Sequence, residues 1–133
     1  MNKKNTIGLE VRSISSPDVE FYAWEPLNNS DVFFLVEIAI GEAGVKGSDV
    51  FQIVVATPEG LRARSRVGEF TIRERCTLIV SNYNWAEIKK SLETIVRKCE
   101  GENWSTSTLN LQRFFNWEYE DYKLAGQRYH PPR

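Results

Sequence analysis

The segment from Val32 to Ile40 constrains the fold most tightly. Val32, Phe34, Val36, Ile38 and Ile40 alternate along one side, while Phe33, Leu35 and Ala39 make the other side partly apolar. Alternation with period two marks a strand. A strand apolar on both sides is central in its sheet and covered on both faces. Glu37 interrupts the run, which falls far short of the ~20 residues of a membrane span.

Further elements flank this strand. Ile7, Leu9 and Val11 alternate with Gly8, Glu10 and Arg12, the pattern of a half-buried strand. Ser16-Pro17-Asp18 ends it, because Pro17 cannot donate to a ladder and biases Ser16 to extended geometry. Residues 17–31 read as a long loop with Pro26, Asn28, Asn29 and Ser30, yet they carry Phe21, Tyr22 and Trp24. Gly41, Gly44 and Gly47 form a connection, and Phe51, Ile53 and Val55 open the second arm of an antiparallel hairpin. Thr57-Pro58-Glu59 is a helix start: a capping hydroxyl, Pro at the first helical position, an acid in the first turn. Only a short helix fits there, and Arg62, Arg64 and Arg66 make it polar. Cys76, Leu78 and Val80 predict a fourth strand.

The clearest helix follows. After Asn84, a predicted N-cap, the residues Trp85, Ile88, Leu92, Ile95, Val96 and Cys99 recur at spacings of three and four. Gly101 is expected to end it as a C-terminal glycine. Trp104 and Ser105 open a second helix bearing Leu109, Leu111, Phe114 and Phe115. Trp117 to Tyr122 alternates aromatic with acidic residues and reads as a short terminal strand or extended segment. The expected fold is α+β. A four- to five-stranded, mostly antiparallel sheet carries two main C-terminal helices packed on one face. With 133 residues the chain suits one domain, expected over 1–122, with a flexible basic tail over 123–133.

Composition narrows function. Seventeen basic residues against eighteen acidic ones give a net charge of −1, whereas a dedicated nucleic-acid binder needs a surplus of Lys and Arg. The balance hides an asymmetry. Lys123, Arg128 and Arg133 lie after Tyr122, and the body before them is mildly acidic. The only His, His130, sits in the Pro-rich tail, and Cys76 and Cys99 are the only cysteines. No zinc cluster or Ser–His–Asp triad is readily built from that inventory, so neither metal nor cofactor nor catalytic residue is expected. The thiols read as reduced and buried. The N-terminus lacks the apolar stretch of a signal peptide, so a cytoplasmic protein without a membrane partner is expected.

Two acidic segments stand out. Asp18, Glu20 and Glu25 surround Trp24, and Glu118, Glu120 and Asp121 stand among Trp117, Tyr119 and Tyr122. An aromatic ringed by carboxylates suits a basic protein ligand, with the charges steering encounter. The candidate contact residues are therefore Asp18, Glu20, Trp24, Glu25, Glu118, Glu120 and Asp121. Arg62, Arg64, Arg66, Arg73 and Arg75 could hold phosphates, but Glu69 and Glu74 sit among them without aromatics for base stacking.

Three ordered signatures carry a family resemblance. They are Ser13-Ile14-Ser15-Ser16-Pro17-Asp18; Phe33 to Gly41 followed by Phe51 and Thr57-Pro58; and Gly101-Glu102-Asn103-Trp104-Ser105 leading to Trp117-Glu118-Tyr119-Glu120-Asp121-Tyr122. Across roughly Ile7 to Tyr122 the chain resembles the immunity protein 8 family of bacterial polymorphic toxin and contact-dependent growth inhibition systems. The resemblance implies a small α+β inhibitor that binds the C-terminal effector domain of a cognate toxin, with no catalytic residues. A nuclease effector with a basic groove would suit an acidic inhibitor, with a monomer favoured over a homo-oligomer. The rival reading is an RNA-binding module using the Arg62–Arg75 region.

Overall fold

The structure, a computed structural model, describes residues 5–66 and 76–119. The elements run β1 (Leu9–Ser15), β2 (Phe33–Glu42), β3 (Asp49–Ala56), α1 (Pro58–Arg66), β4 (Thr77–Ile79), α2 (Trp85–Lys98), α3 (Trp104–Leu111) and β5 (Asn116–Trp117). The fold is α+β, as expected. The sheet order is β1-β2-β3-β4, with β5 also on β3. β2 pairs antiparallel with both β1 and β3, so the doubly apolar strand is interior to the sheet.

The free side of β3 is shared. β4 runs parallel to it from Val54 to Ala56, and β5 runs antiparallel at Phe51 and Gln52. The parallel pairing follows from connectivity: α1 carries the chain back across the sheet, and a parallel neighbour requires such a crossover. Thr57 sets up that return. Its buried Oγ1 accepts from Gly60 N–H at 3.1 Å, capping α1, and from Val32 N–H at 3.0 Å.

The two faces of β2 meet different partners. Phe34, Val36, Ile38 and Ile40 join Phe51, Ile53 and Val55 beneath Ile88, Leu92 and Val96 of α2 and Leu111 of α3. Phe33 and Leu35 pack on Val54, Ala56 and Leu61 on the opposite face, where α1 lies. Both expected C-terminal helices thus cover one face, and the short polar helix supplies a small second core.

Several expectations change in detail. β1 ends at Ser15, at the expected break, but a bulge between Val11 and Ser13 shifts its alternation and brings Ile14 against the core. Asn84 is the N-cap of α2, its side chain accepting from Glu87 N–H. Gly101 is not a left-handed terminator; only Gly44 and Gly47 have positive φ among the described residues. Its small size is what matters: a Cβ there would lie 2.8 Å from Thr106 Cγ2. Leu111 and Phe115 are buried, but Leu109, on the outer side of α3, and Phe114, beyond its end, are exposed. Cys99 is buried and Cys76 only half-buried, and both are free thiols. The tail expected over 123–133 lies outside the described residues.

Candidate interaction surface

The 17–31 loop is tied to the body at four places. Phe21 is buried and stacks on Trp85, with ring centroids 3.9 Å apart and planes 3° from parallel. Trp24 meets Tyr83 and Phe34 edge-on at 4.7 Å and 5.7 Å. Tyr83 N–H donates to Asn29 O at 2.7 Å. Leu35 N–H donates to Asp18 Oδ2 at 2.9 Å. The loop lacks secondary structure because its backbone follows its aromatic anchors.

These contacts sort the sequence candidates. Trp24 is half-buried, its indole against the core aromatics. Its polar sequence neighbours face outward while the ring turns in, since indole burial stabilises more than any exposed position could. Asp18 has a structural task. β1 pairing stops at Glu37, so Leu35 N–H has no strand partner there, and the carboxylate takes it. Glu20 Oε1 accepts from Tyr22 N–H at 2.9 Å and shapes the turn. Glu25 is exposed and engages no other described residue.

Glu118 resembles Asp18 in its role. Its N–H donates to Val50 O, and its Oε2 accepts from Val50 N–H at 2.6 Å, which extends the β5 ladder by one side chain. Nearby, Trp117 Nε1 donates to buried Asp49 Oδ2 at 3.1 Å, and the Trp117 ring stacks over Phe51. Glu120 and Asp121 lie outside the described residues.

Three exposed residues of the loop are not among the sequence candidates. Tyr22 is 88% exposed and Leu27 108% exposed, far above the other exposed large apolar side chains. Asp31 is exposed and, like Glu25, has no side-chain partner among the described residues. One legible signal points to this region. Between Arg12 and Lys46 the chain carries six acids and no basic residue. Lys89 of α2 approaches Tyr22, but it pairs with Glu93 at 2.9 Å, which raises its pKa.

Two arginines of the cluster make contacts in the fold. Arg62 pairs with Glu59, and the Arg64 guanidinium lies 4.6 Å from the Phe33 ring centroid. Arg73 and Arg75 lie outside the described residues. Among those described, no group of three His, Cys, Asp or Glu side chains could hold a metal ion, and no helix is long and apolar enough to cross a membrane. The sequence pattern of immunity protein 8 matches residues 9–122. The chain belongs to the immunity protein 8 family. The match takes in every described strand and helix, as well as the loop and Glu118. No curated protein and no solved structure matches the chain.

Proposed function

We propose that this immunity protein binds and neutralises a basic effector domain, a nuclease, by covering the groove that would hold its substrate. It acts in the cytoplasm of the producing cell, as a monomer, and performs no chemistry of its own. The observation that carries this reading is the loop. Asp18, Glu20, Glu25 and Asp31 are spread over one anchored segment without a compensating base. Like charges gathered on one patch raise the local field and speed the approach of an oppositely charged partner. Glu118, Glu120 and Asp121 extend the acidic surface on this reading, and Trp24 supports it from beneath.

The test uses carboxylates without structural tasks. The double variant Glu25→Lys, Asp31→Lys is titrated against the effector domain of the adjacent toxin gene by calorimetry, alongside the wild type. Affinity should fall at least about tenfold, since reversal removes attraction and adds repulsion. Unchanged affinity would remove the loop from the interface. In a parallel assay, one equivalent of wild-type protein should abolish nucleic-acid cleavage by the effector. Persistent cleavage at saturation would rule out occlusion.

A further inference from the structure

We propose that Tyr22 and Leu27 are the apolar anchors of the interface, inserting into a socket on the effector whose rim is basic. This rests on the functional reading above and names the residues that hold the complex once charge has brought it together.

The argument begins with what the loop does with its apolar side chains. Phe21 and Trp24 point inward and are fixed by the core rings of Trp85, Tyr83 and Phe34. Tyr22 and Leu27 point outward, at 88% and 108% exposure. The two most exposed large apolar residues described therefore sit on one loop, Tyr22 beside buried Phe21 and Leu27 three residues from half-buried Trp24. A single exposed Leu or Tyr needs no explanation. Two on a segment held this firmly do, because a tied loop cannot fold them away.

Rigidity also favours binding. Association costs free energy for every flexible group it orders. Here stacking, a backbone hydrogen bond and the Asp18 link have already ordered the backbone. Tyr is a frequent hot-spot residue, since it offers large area with few rotatable bonds and a hydroxyl for the rim. The charge pattern selects the occupant. The acids around the pair, with Lys89 of α2 engaged by Glu93, favour a basic rim and disfavour an acidic one, a second copy of this loop included.

The division of labour gives a kinetic test. Binding of Tyr22→Ala, Leu27→Ala and the double variant to the immobilised effector domain is followed by surface plasmon resonance, with Glu25→Lys for comparison. The double variant should lose at least about a hundredfold in affinity, almost all as faster dissociation, with kon changing less than about threefold. Glu25→Lys should instead lower kon, and the loss should shrink as salt rises. Both side chains are exposed, so the thermal midpoint should stay unchanged and exclude misfolding as the cause. Tyr22→Phe should keep most of the affinity if ring area holds the complex. A double variant that binds like wild type would overturn this proposal alone. A wild type that fails to bind the effector would overturn the functional reading and this proposal with it. Loss of self-association in the double variant, with effector affinity unchanged, would reassign the pair to a homodimer contact.

Discussion

Asp18 and Glu118 each place a carboxylate on a backbone N–H that no strand reaches, Leu35 in one case and Val50 in the other. Their charges remain at the surface while one oxygen is committed to the fold. Asp18→Asn keeps an acceptor and should cost little stability, whereas Asp18→Ala should cost about 1 kcal/mol in urea unfolding. Tyr83 is the reverse case. Its hydroxyl is buried with no hydrogen-bond partner among the described residues, and burial raises its pKa. Tyr83→Phe removes that unpaired group and keeps the ring contacts to Trp24 and Phe34, so it should be neutral or stabilising by about 1 kcal/mol. Thermal unfolding measures it, and a loss of more than that would reveal an unseen partner. Cys99 links stability to pH. Burial pushes its thiol from 9.0 up to about 11. A folded pKa above the unfolded one means the contribution is complete below pH 9 and disappears as pH rises towards 11. Stability should fall across that window, and less steeply in Cys99→Ala.

At the scale of elements, capping and close approach set the boundaries. Asn84 and Asn103 each accept from the N–H three residues on, so alanine at either should cost about 1 kcal/mol. Gly60 makes a sharper prediction. A Cβ there would sit 1.9 Å from Val32 O, in the junction where Thr57 joins α1 to β2. Gly60→Ala must displace backbone and should lower the thermal midpoint far more than either cap variant. A small change would mean that α1 shifts freely on the sheet. The helices were legible because their spacing of three and four repeats and their caps are polar side chains at fixed offsets. The end of α2 was misread: helix termination at Cys99 uses ordinary right-handed backbone, while Gly101 answers to its neighbour Thr106. The bulge in β1 was hidden because Arg12 can occupy either side of a strand. In the fold its guanidinium bridges the Glu42 and Val45 carbonyls at 2.8 Å and 2.7 Å and pairs with Glu10.

For the whole molecule, charge is distributed against function more than against stability. Exposed ion pairs such as Arg12–Glu10 and Lys89–Glu93 contribute little to folding. The stretch between Arg12 and Lys46 instead carries acids and no base, a field that would act at long range on a basic partner. The association rate with the effector should therefore fall as salt is raised from 0.05 to 0.5 M, by about tenfold or more. A rate insensitive to salt would leave the acidic loop without a role in encounter. The anchored loop also predicts that Trp85→Ala, which removes the ring under Phe21, weakens both stability and effector binding. The Glu25 and Tyr22 substitutions should affect binding only.

The pattern of residues already dictated an α+β chain with β2 inside its sheet and two helices on one face. Periodicity, capping and inventory are local properties, readable without coordinates. The identity of the outward-facing residues was decided by tertiary packing. Tyr22 and Trp24 stand two apart in a loop with no repeat, and both are aromatics beside acids. Phe34 and Tyr83, ten and fifty-nine positions from Trp24, supply the site that draws its indole inward. Tyr22 meets no such site and is left on the surface. The same holds for Asp18 and Glu118, whose carboxylates were visible in the chain. The orphaned N–H groups that claim them arise only when neighbouring strands stop short.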